Sequence, residues 1–259
     1  MKKFISVCIP FYNTFDLTKK TIDVLVKCEF INEIIVSDNC SYKPFEYKNL
    51  KVRVYRNDNN IGALKNKFKV VQYANNNWVY LLDSDNFIEP KVFKKIYEFL
   101  NNAKLNKNTI YSPSKLILED IDLNKKLNKK IIKYNFKDKI IDFSLVAKYL
   151  DRVKYFDWFL NTGNYVVNRE NYIKCGKQMF RDKELKYTQA DSLVFSYYWL
   201  KSGKKIHILD NFYYFHRLLK NSYSHDKNNH KSVQIYKNFF LKKEKSFYKK
   251  IINFFHNAS

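Results

Sequence analysis

Along the first hundred positions, apolar residues alternate between two rhythms. Short continuous runs at 4–9, 33–37, 51–55 and 78–82 are rich in Ile, Val, Tyr and Leu, and they read as buried strands. Between them lie helical spacings. A helix over 16–28 turns Leu17, Leu25 and Cys28 inward with Thr14 or Asp16 as its cap, a second covers 63–73, and a third runs over 90–101 with Pro90 in its first turn. Four strands alternating with helices predict a doubly wound α/β domain: one Rossmann-like, mostly parallel sheet flanked by helices. Residues 103–150 are richer in Lys and Asn and less regular. Beyond them, 164–168 reads as a strand and 191–201 as a helix with Leu193, Val194, Tyr197 and Leu200 inward. Gly203 ends that helix, and 205–209 follows as a strand. No repeat or Gly/Ser-rich linker divides the chain. The expected organisation is one domain over 1–225, with halves 1–102 and 103–225, and a tail over 226–259.

Composition narrows the class. With 46% hydrophobic and 18% aromatic residues the 259-residue chain is a folded protein. Its net charge is +23, but only six of the 48 basic residues are Arg. Readers of base edges rely on Arg forks, so a Lys-dominated excess argues against nucleic acid. Such a field still attracts anionic nucleotides and lipid surfaces. The four cysteines, Cys8, Cys28, Cys40 and Cys175, form no C-x-x-C pair, which excludes a zinc signature and a disulfide framework and fits a reducing cytosol. The apolar stretch after Met1 ends at Pro10 without a small-residue cleavage site, so no signal peptide is expected. No run approaches the length of a membrane span.

Candidate chemistry gathers at strand ends. The run 78–82 leads into Asp83-Ser84-Asp85, two carboxylates one residue apart where open α/β sheets bind ligands. Oxygen ligands so placed suit Mg²⁺ or Mn²⁺ shared with a phosphate-bearing substrate. Tyr12-Asn13 and Asp38-Asn39 finish two other strands, and three polar ends on one sheet edge predict a nucleotide pocket. Each is also ordinary turn chemistry.

These motifs resemble those of the family 2 inverting glycosyltransferases, which have the GT-A fold. The resemblance runs through residues 6–13 (SVCIPFYN), 35–41 (IVSDNCS), 60–66 (NIGALKN) and 82–85 (LDSD). It continues in Ala190-Asp191 and in Tyr214-Phe215-His216-Arg217, covering roughly 4–224. It implies a non-processive bacterial enzyme moving a sugar from a nucleotide diphosphate sugar, a UDP-sugar above all, to a glycan or lipid-linked acceptor of a surface polysaccharide or lipooligosaccharide. Pro10 and Tyr12 would line base and ribose, and Asp38 and Asn39 the base edge, where the family has two acidic residues. Lys65 would lie by the diphosphate. Asp83 and Ser84 would contact the donor, and Asp85, with Asp83 and His216, would hold the Mn²⁺ or Mg²⁺ that bridges the phosphates. Asp191 matches the general base, although Ala190 stands where the family has Glu. Asp191 at a helix start is equally a cap, and His216 among Tyr213, Tyr214 and Phe215 is equally a rim residue.

Trp158 and Gly163 flank a segment that would meet the acceptor, with core packing as the alternative for the ring. In the tail, Phe240, Phe247, Ile251, Phe254 and Phe255 share a helical arc opposite Lys242, Lys245 and Lys249. This basic amphipathic helix would lie on an anionic membrane or pack on the domain. The expected location is the cytoplasm, peripheral on the inner membrane's cytoplasmic face.

Rival readings fare worse. A sugar nucleotidyltransferase needs a Gly-rich phosphate loop after the first strand, whereas residues 10–13 contain no Gly. The whole chain has only four glycines, which also removes P-loop and dinucleotide fingerprints. A nucleic-acid-binding protein remains the alternative from another class. A processive synthase would carry membrane spans and a Gln-x-x-Arg-Trp motif, and neither stands near Trp199.

Overall fold

The computed structural model describes residues 4–120, 129–133, 139–145, 163–182 and 191–218. Strands β1 (Ile5–Phe11), β2 (Ile31–Asp38), β3 (Val52–Arg56) and β4 (Trp78–Leu81) alternate with helices α1 (Phe15–Leu25) and α2 (Ala63–Gln72). Helix α3 (Pro90–Asn102) precedes a long β5 (Thr109–Asp120), and β6 (Lys129–Lys133) and β7 (Ile140–Ile141) are short. After β8 (Tyr165–Asn168) come α4 (Arg169–Met179), α5 (Asp191–Lys201) and β9 (Lys205–Leu218).

Among the described residues all nine strands join one sheet in the order β3-β2-β1-β4-β8-β5-β9-β7, with β6 paired to β5. The β3-β2-β1-β4 half is parallel, as the alternating pattern predicts. Beyond β4 the sheet becomes mixed: β8 is antiparallel to both β4 and β5, while β5 and β9 run parallel. The order reverses between β1 and β4, the point at which a doubly wound sheet leaves a crevice past its strand ends.

Each face buries its own core. On one, Leu64, Val70 and Val71 of α2 pack with Tyr172 of α4 and with Leu193, Val194 and Trp199 of α5. Helix α5 is buried on nearly every side, including Ser192, Phe195 and Ser196 besides the four inward residues expected. On the other face, Ile22 and Leu25 of α1 and Val92, Phe93, Ile96 and Leu100 of α3 cover β1 and β4. Those positions recur every three to four residues, and burying each such side chain is worth about 1.5–3 kcal/mol.

Three elements depart from the expected boundaries. In α1 the buried residues are Thr18, Thr21, Ile22 and Leu25, while Leu17 is half-exposed. The middle segment contains β5, hidden from pattern reading by Pro113, which is tolerated because the register shifts between Pro113 and Lys115. The same irregularity lets β9 continue through Asp210-Asn211 to Leu218, where Asp210-Asn211 reads in sequence as a strand end.

Candidate functional site

Strand β4 delivers Asp83, Ser84 and Asp85 to the crevice, and α1 fixes the turn they form. Asp83 O accepts from Asn86 N at 2.9 Å. Thr14, Thr18 and Thr21 stand four and three residues apart on one face of α1. Thr14 Oγ1 donates to Ser84 Oγ (2.8 Å), Thr18 Oγ1 to Ser84 O (2.9 Å) and Thr21 Oγ1 to Asn86 O (3.3 Å). This explains two buried threonines on an otherwise apolar face. Thr14, expected as a helix cap, makes no side-chain cap bond and is spent on Ser84.

Because β8 runs antiparallel to β4, Gly163 and Asn164 lie beside Asp83. Asn164 Oδ1 accepts from Asp83 N at 3.0 Å, and Asn164 Nδ2 donates to Asp83 Oδ2 at 3.4 Å. A Cβ on Gly163 would sit 2.5 Å from Lys67 Nζ and 2.6 Å from Asp83 Oδ1, so any larger residue there would displace these two side chains.

Lys67 is the centre of the arrangement. Its Nζ lies 2.7 Å from Asp83 Oδ1 and 2.7 Å from Asp191 Oδ2, and donates to Ser192 Oγ at 3.2 Å. The side chain is 11% exposed. Burial alone would lower its pKa, but Asp191 and Asp83 outweigh that and hold it well above the ordinary lysine value. Lys67 thus joins α2, the end of β4 and the start of α5. Sequence reading singled out Lys65, which is exposed on the outer side of α2 and lines a separate cleft of about 560 Å³ with Phe68 and Phe180. The signal for Lys67 was its place in the stripe Leu64, Lys67, Val70, Val71, all buried.

Asp85 is half-buried. Loss of solvent and the neighbouring Asp83 charge push its pKa up to about 7, against smaller opposing effects that include Lys67 and Arg217. Arg217 is brought near because Phe87 and Phe215 exchange backbone hydrogen bonds of 3.0 and 2.8 Å. Its guanidinium stands 5.0 Å over the Phe87 ring, donates to Thr21 Oγ1 at 3.3 Å and reaches Glu119 Oε2 at 3.4 Å. His216 is half-buried, edge-on to Tyr214 with ring centroids 6.3 Å apart.

Among the described residues no three His, Cys, Asp or Glu side chains are gathered closely enough to hold a metal by themselves. The donor set nevertheless suits Mg²⁺ or Mn²⁺, which take one or two carboxylates and fill the remaining positions with phosphate and water oxygens. The unfavourable crowding of Asp83 and Asp85 is what such a cation relieves.

The ends of β1 and β2 build the neighbouring wall. Pro10 pairs with Ser37 and is partly exposed, and Tyr12 is 48% exposed at the rim. Asp38 is fully buried: its oxygens accept from Ser41 N (2.9 Å) and Phe45 N (3.3 Å) and pair with Arg56 at 2.6 Å. Asn39 is likewise committed, donating to Asn60 Oδ1 at 2.8 Å and accepting from Ile61 N at 2.9 Å. Beyond it, Gly62 (φ +82°) makes the turn into α2 in a backbone region that glycine adopts freely. Both Asp38 and Asn39 therefore shape loops at the crevice edge. Trp158 and the tail 226–259 lie outside the described residues.

The glycosyl transferase family 2 model matches residues 6–152, more than half of the chain and every strand that builds this wall. The chain belongs to glycosyl transferase family 2. The family assignment agrees with the fold, for solved GT-A glycosyltransferases superpose on it. GalNAc-T7, crystallised with UDP, GalNAc and Mn²⁺, aligns with a TM-score of 0.59 and 17% identity over 84% of this chain and 44% of its own. S. aureus TarS 1–349 with UDP-GlcNAc aligns with a TM-score of 0.56 and 16% identity over 86% of this chain and 61% of its own. The chain thus spans under half of the first and about three-fifths of the second. No curated protein matches it by sequence. Among the described residues no helix is long and apolar enough to cross a membrane.

Proposed function

We propose that this family 2 member is a metal-dependent inverting glycosyltransferase that moves a sugar from a UDP-sugar to the hydroxyl of a glycan or lipid-linked acceptor. The observation that carries it is the joining of Asp83 and Asp191 through Lys67, which gathers the carboxylate at the end of β4 and the one at the start of α5 around a single ammonium. Solved relatives of the same fold hold UDP, UDP-GlcNAc or Mn²⁺, which supports the donor class.

In this reading Tyr12 and the loops held by Asp38 and Asn39 receive the base, Asp83 the ribose, and Asp85 with Asp83 the metal. The metal's contribution is to neutralise negative charge developing on the leaving diphosphate. Lys67 and Arg217 add fixed positive charge beside it. His216 is a further metal or phosphate contact, and Gly163 and Trp158 belong to the acceptor side. Asp191, at the first turn of α5, accepts the acceptor hydroxyl's proton as oxygen attacks the anomeric carbon. Attack in line with the departing diphosphate inverts the configuration there. A cytoplasmic setting with the basic tail on an anionic membrane would bring a lipid-linked acceptor within reach.

Calorimetry of UDP with and without Mn²⁺ tests the donor site. The parent is expected to bind UDP in a metal-dependent way, and Asp85→Ala to lose that dependence while keeping its fold. Equal metal-dependent affinity in the variant would remove Asp85 from the site.

A further inference from the structure

We infer that Lys67 is the cation Asp83 holds until a divalent metal takes over that carboxylate, so that metal enters the cleft together with a nucleotide diphosphate and not before it. This deepens the proposed function and rests on Asp83 and Asp85 being its metal-facing pair.

Asp83 Oδ1 is already occupied by an ammonium at 2.7 Å, and the same ammonium serves Asp191 Oδ2 at 2.7 Å. Neither contact is a loose surface pair, since the side chains are 11%, 26% and 15% exposed for Lys67, Asp83 and Asp191. The lysine's backbone is pinned as well. Its neighbour Asn66 accepts from Ser37 Oγ at 2.7 Å and from Asn57 Nδ2 at 3.1 Å, and donates to Ser37 O at 2.9 Å. A bare divalent ion must share Asp83 with a buried positive charge or displace it, and an unpaired buried charge is costly. Lys67 gives up Asp83 readily only where another anion receives its charge, and the two phosphates of the donor are that anion. Asn164 holds Asp83 from the β8 side, accepting from Asp83 N at 3.0 Å and donating to Asp83 Oδ2 at 3.4 Å. Lys67 is thus a positioning residue for Asp191 and a competitor of the metal at Asp83.

Mn²⁺ titrations by calorimetry, with and without UDP, test this on the full chain. In the parent, Mn²⁺ alone is expected to bind at least about tenfold more weakly than Mn²⁺ with UDP present. Lys67→Met should tighten Mn²⁺ binding without UDP by about tenfold or more, because Asp83 and Asp191 then lack their internal cation. Lys67→Gln should behave as Met does, and Lys67→Arg as the parent does, since charge and not shape sets the effect. Unchanged or weaker metal binding in the Met and Gln variants would overturn the inference. So would Mn²⁺ binding to the parent that is equally tight with and without UDP, a result that needs no variant to fold. If the parent shows no Asp85-dependent Mn²⁺ binding at all, the proposed function itself fails, and the two failures are distinguishable.

Discussion

Gly163 and Asp83 pack so closely that a methyl group on the glycine would lie 2.6 Å from Asp83 Oδ1. Gly163→Ala should therefore push Asp83 and Lys67 off their positions while leaving the two hydrophobic cores untouched. Misplacing site groups by about 1 Å costs on the order of a hundredfold in rate. The expected variant melts within a few degrees of the parent, by about 1 kcal/mol at most, and loses roughly that hundredfold in sugar transfer. Near-normal turnover would mean that Asp83 has room to move.

The cysteines give a readout of the loop beside the crevice. Cys40 is half-exposed at φ +59°, whereas Cys8, Cys28 and Cys175 are buried. Burial pushes all three buried thiols up, Cys175 to about 11, so at pH 8 they stay protonated and unreactive. A thiol reagent at that pH should label Cys40 alone in the native protein. UDP should slow that labelling, because Cys40 follows Asn39 in the loop assigned to the base. Fast labelling of any second cysteine would contradict this packing.

Asp38 serves the fold before it serves any ligand. Removing its carboxylate strands Ser41 N, Phe45 N and the Arg56 guanidinium. Asp38→Ala should cost roughly 3 kcal/mol, lowering the melting temperature by about 10 °C for a chain of this size. A thermal melt close to the parent's would show that the loop stands without it.

How much of this was legible in the sequence depends on the range of the contacts involved. The parallel half of the sheet was readable because β1 to β4 are bounded locally by Pro, Asn and Asp and alternate with helical spacings. Strand β5 and the far half of β9 were not, since Pro113 and Asp210-Asn211 look like breaks until the two strands pair and share one irregularity. The carboxylates at 83 and 85 could be named from their place after a buried run. Lys67 could not be named by motif, although a lysine in line with Leu64, Val70 and Val71 breaks an apolar stripe and so marks a buried charge. Arg217 depends on the Phe87–Phe215 bridge, a pairing across more than a hundred residues that no local pattern encodes.

The central claim is that Asp191 takes the proton in an inverting transfer, and hydrolysis of the donor with water as acceptor tests it most directly. The UDP-sugar would be the one that most raises the melting temperature in a panel with Mn²⁺. Asp191→Asn keeps the size and can still accept a hydrogen bond from Lys67, but it cannot take a proton. NMR of the first sugar released by the parent, recorded before mutarotation, should show the anomer opposite to the donor's. The variant should bind donor as the parent does and release sugar at least about a hundredfold more slowly. Retained configuration, or turnover by Asp191→Asn close to the parent's, would contradict the account.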